Sequence, residues 1–381
     1  MSRSLRVALD ARYLAGPRGG VAYTVENLLR EFVRLEPGIS LHLVVRPGHA
    51  LPDLGAARVS VAACDYETPG LREMYLFSRR VRLDGWPVYH APHNFLPRGV
   101  GTRTVLTVHD VMWLQSRDNI VRDPLQRLAV GWFYDTYLPD SIRRADRVIA
   151  VSRATRDALV GFVPEARGKT VVIPNGRDPY FEPRPPAEVA GLTRAIVPDG
   201  CRVVLAIGNG SPHKNHYRAV QAFLRAFGGR PEWRMVLVRR FERRDGPMAA
   251  LLESSEARRQ VIVLPYVARD VVRALYCRAR IFFFPSWVEG FGLPILEAMA
   301  CRTPVLTANV SAPAEVAGEA ALAVDPFDVG ALADGLRRLD ADEALREELI
   351  GRGAERIRAF DWTESARQTL EVYRELGAGA G

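Results

Sequence analysis

The sequence predicts an α/β protein made of two doubly wound, Rossmann-like domains with parallel sheets. Short apolar strand segments alternate with helical segments through most of the 381 residues. The alternation runs twice, on either side of VIPNGRDPYFEPRPPAE, which starts at Val172 and is rich in Pro, Gly and Asn. A chain of this length also exceeds one ordinary core and suits two domains of about 150–200 residues each.

In order, LRVALDA reads as a strand and VAYTVENLLREFVRL as a helix. LHLVV, RVSVA, VYHA, TVLTVHD and RVIAVS follow as strands. The second set opens with RVVLAIGNG at Arg202, a helix YRAVQAFLRAF, and strands RMVLVRR, VIVLPYV and IFFFPS. The helix PILEAMA, strands TPVLTA and AALAVDP, and three closing helices complete it. The predicted domains are residues 1–184 and 185–360, with a last helical segment at 361–381. Ligands of such sheets bind outside the carboxyl ends of the strands, so the loops after strands hold the candidate residues.

Composition narrows the class. A hydrophobic fraction of 48% and a charged fraction of 25% are ordinary for a globular protein. No apolar run reaches the ~20 residues that span a bilayer, and the N-terminus lacks a secretory pattern, so a cytoplasmic location is expected. The four cysteines are scattered, and they read as free core thiols. The net charge of +8 is uneven: residues 1–185 hold 26 Lys+Arg against 19 Asp+Glu, and the rest 26 against 25. The basic first half suits an anionic acceptor or peripheral contact with the anionic inner face of a membrane. Nucleic acid is not expected, because no such motif is present. Only Lys169 and Lys214 are lysines among the 52 basic residues, so a lysine kept against that bias suggests a chemical role.

FPSWVEGFGLPILEAMACRTP, residues 284–304, holds the densest signal. Glu289 follows a buried-strand pattern. Pro294 suits a first helical turn, and Glu297 falls about one turn in. The loop Gly290, Phe291, Gly292, Leu293 would offer backbone N–H groups at a helix N-terminus, a ready anion site that glycines let a phosphate approach. A ligand with a central diphosphate and hydroxyl-bearing sugars at both ends fits this layout, as in a nucleotide-sugar.

This stretch resembles the signature of family-4 retaining glycosyltransferases of the GT-B fold, in which a Glu-x7-Glu pattern flanks a G-F-G-L-P loop. ADRVIAVSRAT at 145, VVIPNGRDPYF at 171 and EVAGEAALAVDP at 315 are also similar to family segments, and the overall likeness is to the bacterial mannosyltransferase branch. The resemblance implies two domains facing each other across a cleft, with the last helix crossing back to the first domain. It implies that Glu289 contacts the transferred sugar, Glu297 the nucleotide ribose, and the amides around Gly292 and Leu293 the diphosphate and sugar.

AIGNGSPHKNHYRAVQAF, from residue 206, matches the family's Gly-loop-Lys-Asn pattern. By that likeness Gly208 and Asn209 lie at the donor and Lys214 binds its diphosphate. An arginine common shortly after the glycine is missing, so Arg239 or Arg240 is the candidate substitute. The turn LPYVARDVV places Tyr266 and Val267 at the nucleobase. His109 matches a histidine close to the transferred sugar. Gly19 and Gly20 match a loop over the diphosphate or acceptor, and Arg18, His93 and Asn94 are acceptor candidates.

The expected activity is metal-independent transfer of a hexose from a nucleotide-sugar, GDP-mannose first, to a glycan or polyprenyl-linked acceptor. A UDP-sugar donor and a non-catalytic nucleotide-sugar-binding protein are the alternatives. His213 and His216 lack a third metal ligand. Asp340 and Asp342 spell a metal motif of another fold but read as the start of a helix, and no cofactor is expected.

Overall fold

In the computed structural model the described residues are all except 1–3, 16–18, 56, 116–123, 240–245, 266 and 379–381. The chain divides into two compact units: residues 1–115, 128–176 and 360–381 in the first, and chiefly 177–359 in the second.

The first unit holds one seven-stranded parallel sheet. Its strands are β1 (Arg6–Asp10), β2 (Ser40–Val45), β3 (Arg58–Ala63), β4 (Val88–Ala91), β5 (Arg103–Val108), β6 (Arg147–Ala150) and β7 (Thr170–Val172). They lie in the order β3-β2-β1-β4-β5-β6-β7. Central strands such as β1 and β5 are apolar and buried on both faces, as a helix-covered parallel sheet requires. β7 departs from expectation, because its last residue, Val172, opens the segment that the sequence marks as a linker. Three half-buried residues give too short a pattern to register as a strand.

The second unit holds β8 (Arg202–Ile207), β9 (Trp233–Val238), β10 (Val261–Leu264), β11 (Ile281–Phe284), β12 (Val305–Ala308) and β13 (Leu322–Val324). Their order is β10-β9-β8-β11-β12-β13, again all parallel. Each sheet therefore reverses its winding once, between β1 and β4 and between β8 and β11, and such switch points are where open α/β sheets bind ligands.

The unit boundary falls after Gly176, eight residues before the sequence division at 184/185. The intervening segment is held by the second unit. Arg273 donates to the Tyr180 carbonyl at 3.0 Å, and Phe181 packs edge-on to Tyr276. At Gly176 itself a Cβ would collide with the Trp362 amide, so only glycine fits.

The last helix, Trp362–Ala378, returns to the first unit as expected. Trp362, Ala366, Leu370 and Tyr373 enter that unit's core. Tyr373 also shares a 2.6 Å hydrogen bond with His90 Nδ1, whose Nε2 meets Thr107 Oγ1 at 2.7 Å. His90 lies inside β4, fully buried. Its apolar surroundings hold it neutral, with its pKa lowered to about 3.

Candidate active site

The loops after β8 and β11 flank the switch point of the second sheet. β8 ends at Ile207, and Gly208, Asn209, Gly210 and Ser211 lead to a single turn, Pro212–Lys214. Asn215 then takes a left-handed conformation, φ 60°, and the helix His216–Phe227 begins. Asn215 is buried and donates to two carbonyls, Pro285 at 3.1 Å and Pro326 at 2.6 Å. It therefore ties together the chain ends beyond β8, β11 and β13. Sequence reading missed this role, because both partners are carbonyls far along the chain.

Asn215 so placed, Lys214 reaches over the loop. Its Nζ lies 2.6 Å from Glu289 Oε1 and 5.4 Å from the Phe284 ring centroid. A Cβ on Gly208 would come within 3.1 Å of Lys214 Cδ, so the glycine leaves that side chain its path. The structure thus joins two predicted residues directly. Glu289 continues to Gly290 and to Phe291, which is buried. Gly292 caps the helix Leu293–Ala300 at φ 126°, a value that favours glycine. Pro294 lies in the first turn, and the helix N-terminus carries the partial positive charge expected there.

Glu297 lies on the second turn of that helix and accepts a 2.9 Å hydrogen bond from the buried Tyr276 hydroxyl. Burial pushes its carboxyl up to about 7, against the pull of Tyr276 and of the Arg269 charge. Tyr276 was not singled out in the sequence, where it is one apolar-face residue of a helix.

Val267 lies three residues beyond β10, on the same strand-end side. Tyr266, Arg240 and Arg18 lie outside the described residues. Arg239 does not face solvent. It is buried and donates from Nη2 to the Gly210 carbonyl at 3.4 Å, directly behind the Lys214 loop. His213 and His216 are buried and held neutral, His213 with its pKa lowered to about 4 by burial. Among the described residues no group of three or more His, Cys, Asp or Glu is placed to hold a metal ion. Asp342 caps the helix Glu343–Arg356, as expected. Asp340 instead closes the preceding helix and pairs with Arg280 at 2.7 Å and Arg202 at 3.0 Å.

In the first unit, the loops after β4 and β5 meet beside its switch point. Asn94 bridges them, accepting from the His109 amide at 2.9 Å and donating to the Asp110 carbonyl at 3.0 Å. Its buried side-chain amide is used at both ends in holding the two loops together. His109 Nε2 donates to the Pro92 carbonyl at 2.8 Å. That hydrogen bond assigns the neutral ring's lone pair to Nδ1. Burial lowers the ring's pKa to about 4, too low for an efficient base near neutrality but suited to accepting a hydroxyl. His93 packs at a tilt against Tyr13 with ring centroids 4.7 Å apart, and its ring centroid lies 6.4 Å from that of His109. Gly19 caps the helix Gly20–Leu35 with no side-chain bond.

Comparison with known proteins gives matches of family and of fold over most of the chain. Residues 18–181 match the model described as Glycosyltransferase Family 4, and residues 195–356 the one described as Glycosyl transferases group 1. The O-antigen chain mannosyltransferase B of Escherichia coli is 29% identical over 76% of this chain and 74% of its own length. The serotype-specific mannosyltransferase WbdA of Escherichia coli is 26% identical over 72% of this chain, but the match spans only 34% of that protein. Among solved structures, sucrose-phosphate synthase of Thermosynechococcus elongatus superposes with a TM-score of 0.78 at 22% identity, covering 99% of this chain and 100% of its own. Anabaena HepE in complex with UDP-glucose superposes with a TM-score of 0.70 at 17% identity, covering 97% and 100%.

Proposed function

On the footing that the chain belongs to the glycosyltransferases, with a family-4 first domain and a group 1 second domain in a GT-B fold, we propose that it is a retaining hexosyltransferase. The donor is a nucleotide-sugar, GDP-mannose first, in line with the mannosyltransferase relatives. The acceptor is a glycan or polyprenyl-linked intermediate of cell-surface polysaccharide. The observation that carries the reading is the Lys214–Glu289 pair, 2.6 Å apart beside the helix N-terminus at a sheet's switch point.

In this reading Lys214 and the Gly292–Leu293 end of the helix take the diphosphate, and Glu289 takes hydroxyls of the transferred sugar. Glu297 takes the ribose diol, Val267 and Tyr266 border the base, and Gly208 and Asn209 line the loop beside Lys214. His109 accepts a sugar hydroxyl at Nδ1, and Gly19 and Gly20 bound the acceptor side. As the sugar–phosphate bond breaks, the nucleoside diphosphate gains negative charge and the sugar becomes oxocarbenium-like. Lys214 and the helix end stabilise the leaving group. Transfer retains the anomeric configuration by a front-face route without a protein nucleophile, and no metal is required.

Among the described residues no helix is long and apolar enough to cross a membrane. A lipid-linked acceptor would be met at the surface, where the basic first half and the exposed Leu71, Tyr75 and Trp132 suit an anionic bilayer. A second reading keeps the site and takes a uridine nucleotide, as in the HepE complex.

A panel of nucleotide-sugars read by thermal shift and slow hydrolysis, in excess chelator, tests this. GDP-mannose is expected to stabilise wild type and to be hydrolysed, with both effects lost in Lys214→Ala and Glu297→Ala. Stabilisation by UDP-sugars alone selects the second reading. Activity abolished by chelator refutes metal independence, and no response to any donor refutes the enzyme.

Glu297 gives a pH prediction. Its carboxyl, raised to about 7, is neutral below that pH and must lose its proton to accept ribose hydroxyls. Donor affinity should fall about tenfold from pH 8 to pH 6 as the ionised fraction falls. Glu297→Gln should bind more weakly and flatten the slope. The same slope in both proteins would assign the titration elsewhere. The sign for the fold is opposite to the usual carboxylate: the unliganded second unit should lose stability as pH rises from 4.5 toward 7.

A further inference from the structure

The four cysteines, scattered in sequence, are all free, but two of them meet. Cys277 is the penultimate residue of the helix Arg269–Arg278, and Cys301 caps the end of the helix Leu293–Ala300. Their sulfurs lie 3.7 and 3.8 Å from one shared oxygen, the Glu182 carbonyl. Both thiols thus converge on one acceptor at the ends of their two helices. Cys277 is half-buried and Cys301 is 4% exposed, so the first is open to small solutes and the second stands behind it.

The pair is chemically unequal. The neighbouring Cys301 side chain brings the Cys277 thiol down to about 7, helped by the Arg184 amide and the Arg273 charge against burial. The Cys277 side chain and burial push the Cys301 thiol up. A half-exposed, thiolate-prone sulfur beside a buried second thiol is the arrangement of an attacking and a resolving cysteine. The pair also lies directly behind the Glu297 contact. Tyr276, which donates to Glu297, precedes Cys277, and the Cys301 amide donates to the Glu297 carbonyl at 3.0 Å.

We propose that Cys277 and Cys301 are a peroxide-sensitive pair that closes a reversible disulfide between the helices carrying Tyr276 and Glu297. The Cys277 thiolate attacks one peroxide oxygen. An S–O bond forms, the O–O bond breaks, and hydroxide leaves and takes a proton to become water. The Cys301 sulfur then attacks the Cys277 sulfenic acid. The S–S bond forms, the S–O bond breaks, and a second water leaves with the Cys301 proton. Two thiols and one hydrogen peroxide give one disulfide and two waters, and a dithiol reductant reverses the bridge. Closure draws the sulfurs to about 2 Å and pins the end of the Glu297 helix to its neighbour. The bridge depends on neither the donor nor the reaction assigned above.

The test treats the full chain with hydrogen peroxide, quenches it, and maps peptides without reduction. The expected product is a Cys277–Cys301 linked peptide two hydrogens lighter, reversed by dithiothreitol and absent from Cys277→Ser. Hydrogen–deuterium exchange should slow at least threefold across residues 293–301 in the oxidised wild type and not in Cys277→Ser. Sulfinic acid on Cys277 with no linked peptide overturns the pair. A linked peptide with less than threefold slowing overturns its hold on the Glu297 helix.

Discussion

Lys214→Ala is expected to lower kcat about 10²–10³-fold, the usual cost of losing one preorganised group that meets developing charge. Its effect should exceed that of a lost cation alone. Glu289, now 2.6 Å from the ammonium, would be left as an unpaired carboxylate next to the donor's diphosphate. KM should therefore rise as well. In Lys214→Ala/Glu289→Gln that repulsion is gone, so donor binding should recover relative to Lys214→Ala while kcat stays low. Such non-additivity is expected of groups in direct contact. Melting should fall in Lys214→Ala, because Glu289, whose side chain is only 11% exposed, loses its partner, and should recover in Lys214→Ala/Glu289→Gln, where no unpaired charge remains. A Lys214→Ala enzyme within threefold of wild type in kcat would remove Lys214 from the chemistry.

How much of this site could be read from the chain differs residue by residue. The glutamate spacing was legible because a strand, a glycine loop and a helix start are local, and each has its own residue preferences. Lys214 stood out because arginine does nearly all the other cationic work in this sequence. The contact between Lys214 and Glu289 was not legible, since it joins side chains 75 residues apart. It exists because β8 and β11 are sheet neighbours. Asn215 was hidden for the same reason. Its partners are main-chain carbonyls that leave no mark on residue identity. Loop histidines were ambiguous in a different way. His90 and His93 are three apart, yet one lies in a strand bonded to the last helix and the other packs against Tyr13. Sheet register decides between such roles, and a four-residue strand gives little pattern with which to fix its end. The cysteine pair shows the same limit: a separation of 24 residues says nothing until two helices are set side by side.

The first unit's switch point rests on a buried charge cluster whose removal should have a large effect on folding. Asp10 ends β1, and Arg12 donates to it from Nε at 2.8 Å and to Glu73 from Nη2 at 2.5 Å. These three side chains are 0–3% exposed, and the Tyr89 hydroxyl adds a 3.3 Å bond to Asp10. Removing one partner of a buried ion cluster typically costs about 3–5 kcal/mol, because the remaining charges stay desolvated. Arg12→Leu should therefore lower the melting temperature of the first unit by about 10 °C. The sign of its pH dependence follows from Glu73. Burial pushes that carboxyl from 4.5 up to about 8 even with Arg12 beside it, so the folded unit holds a proton there that the unfolded chain releases. Stability tied to Glu73 is then present at low pH and is lost as pH rises through 8. Without Arg12 the carboxyl rises further, so the Arg12→Leu deficit should be smaller at pH 6 than at pH 8. Replacing the whole cluster, Asp10→Asn with Arg12→Leu and Glu73→Gln, should recover part of the loss, since no unpaired charge remains. Calorimetric melts at the two pH values measure all of this. An Arg12→Leu protein that melts like wild type, or that loses more at pH 6 than at pH 8, would show that the cluster is not what holds β1 and its loop beneath Tyr13 and His93.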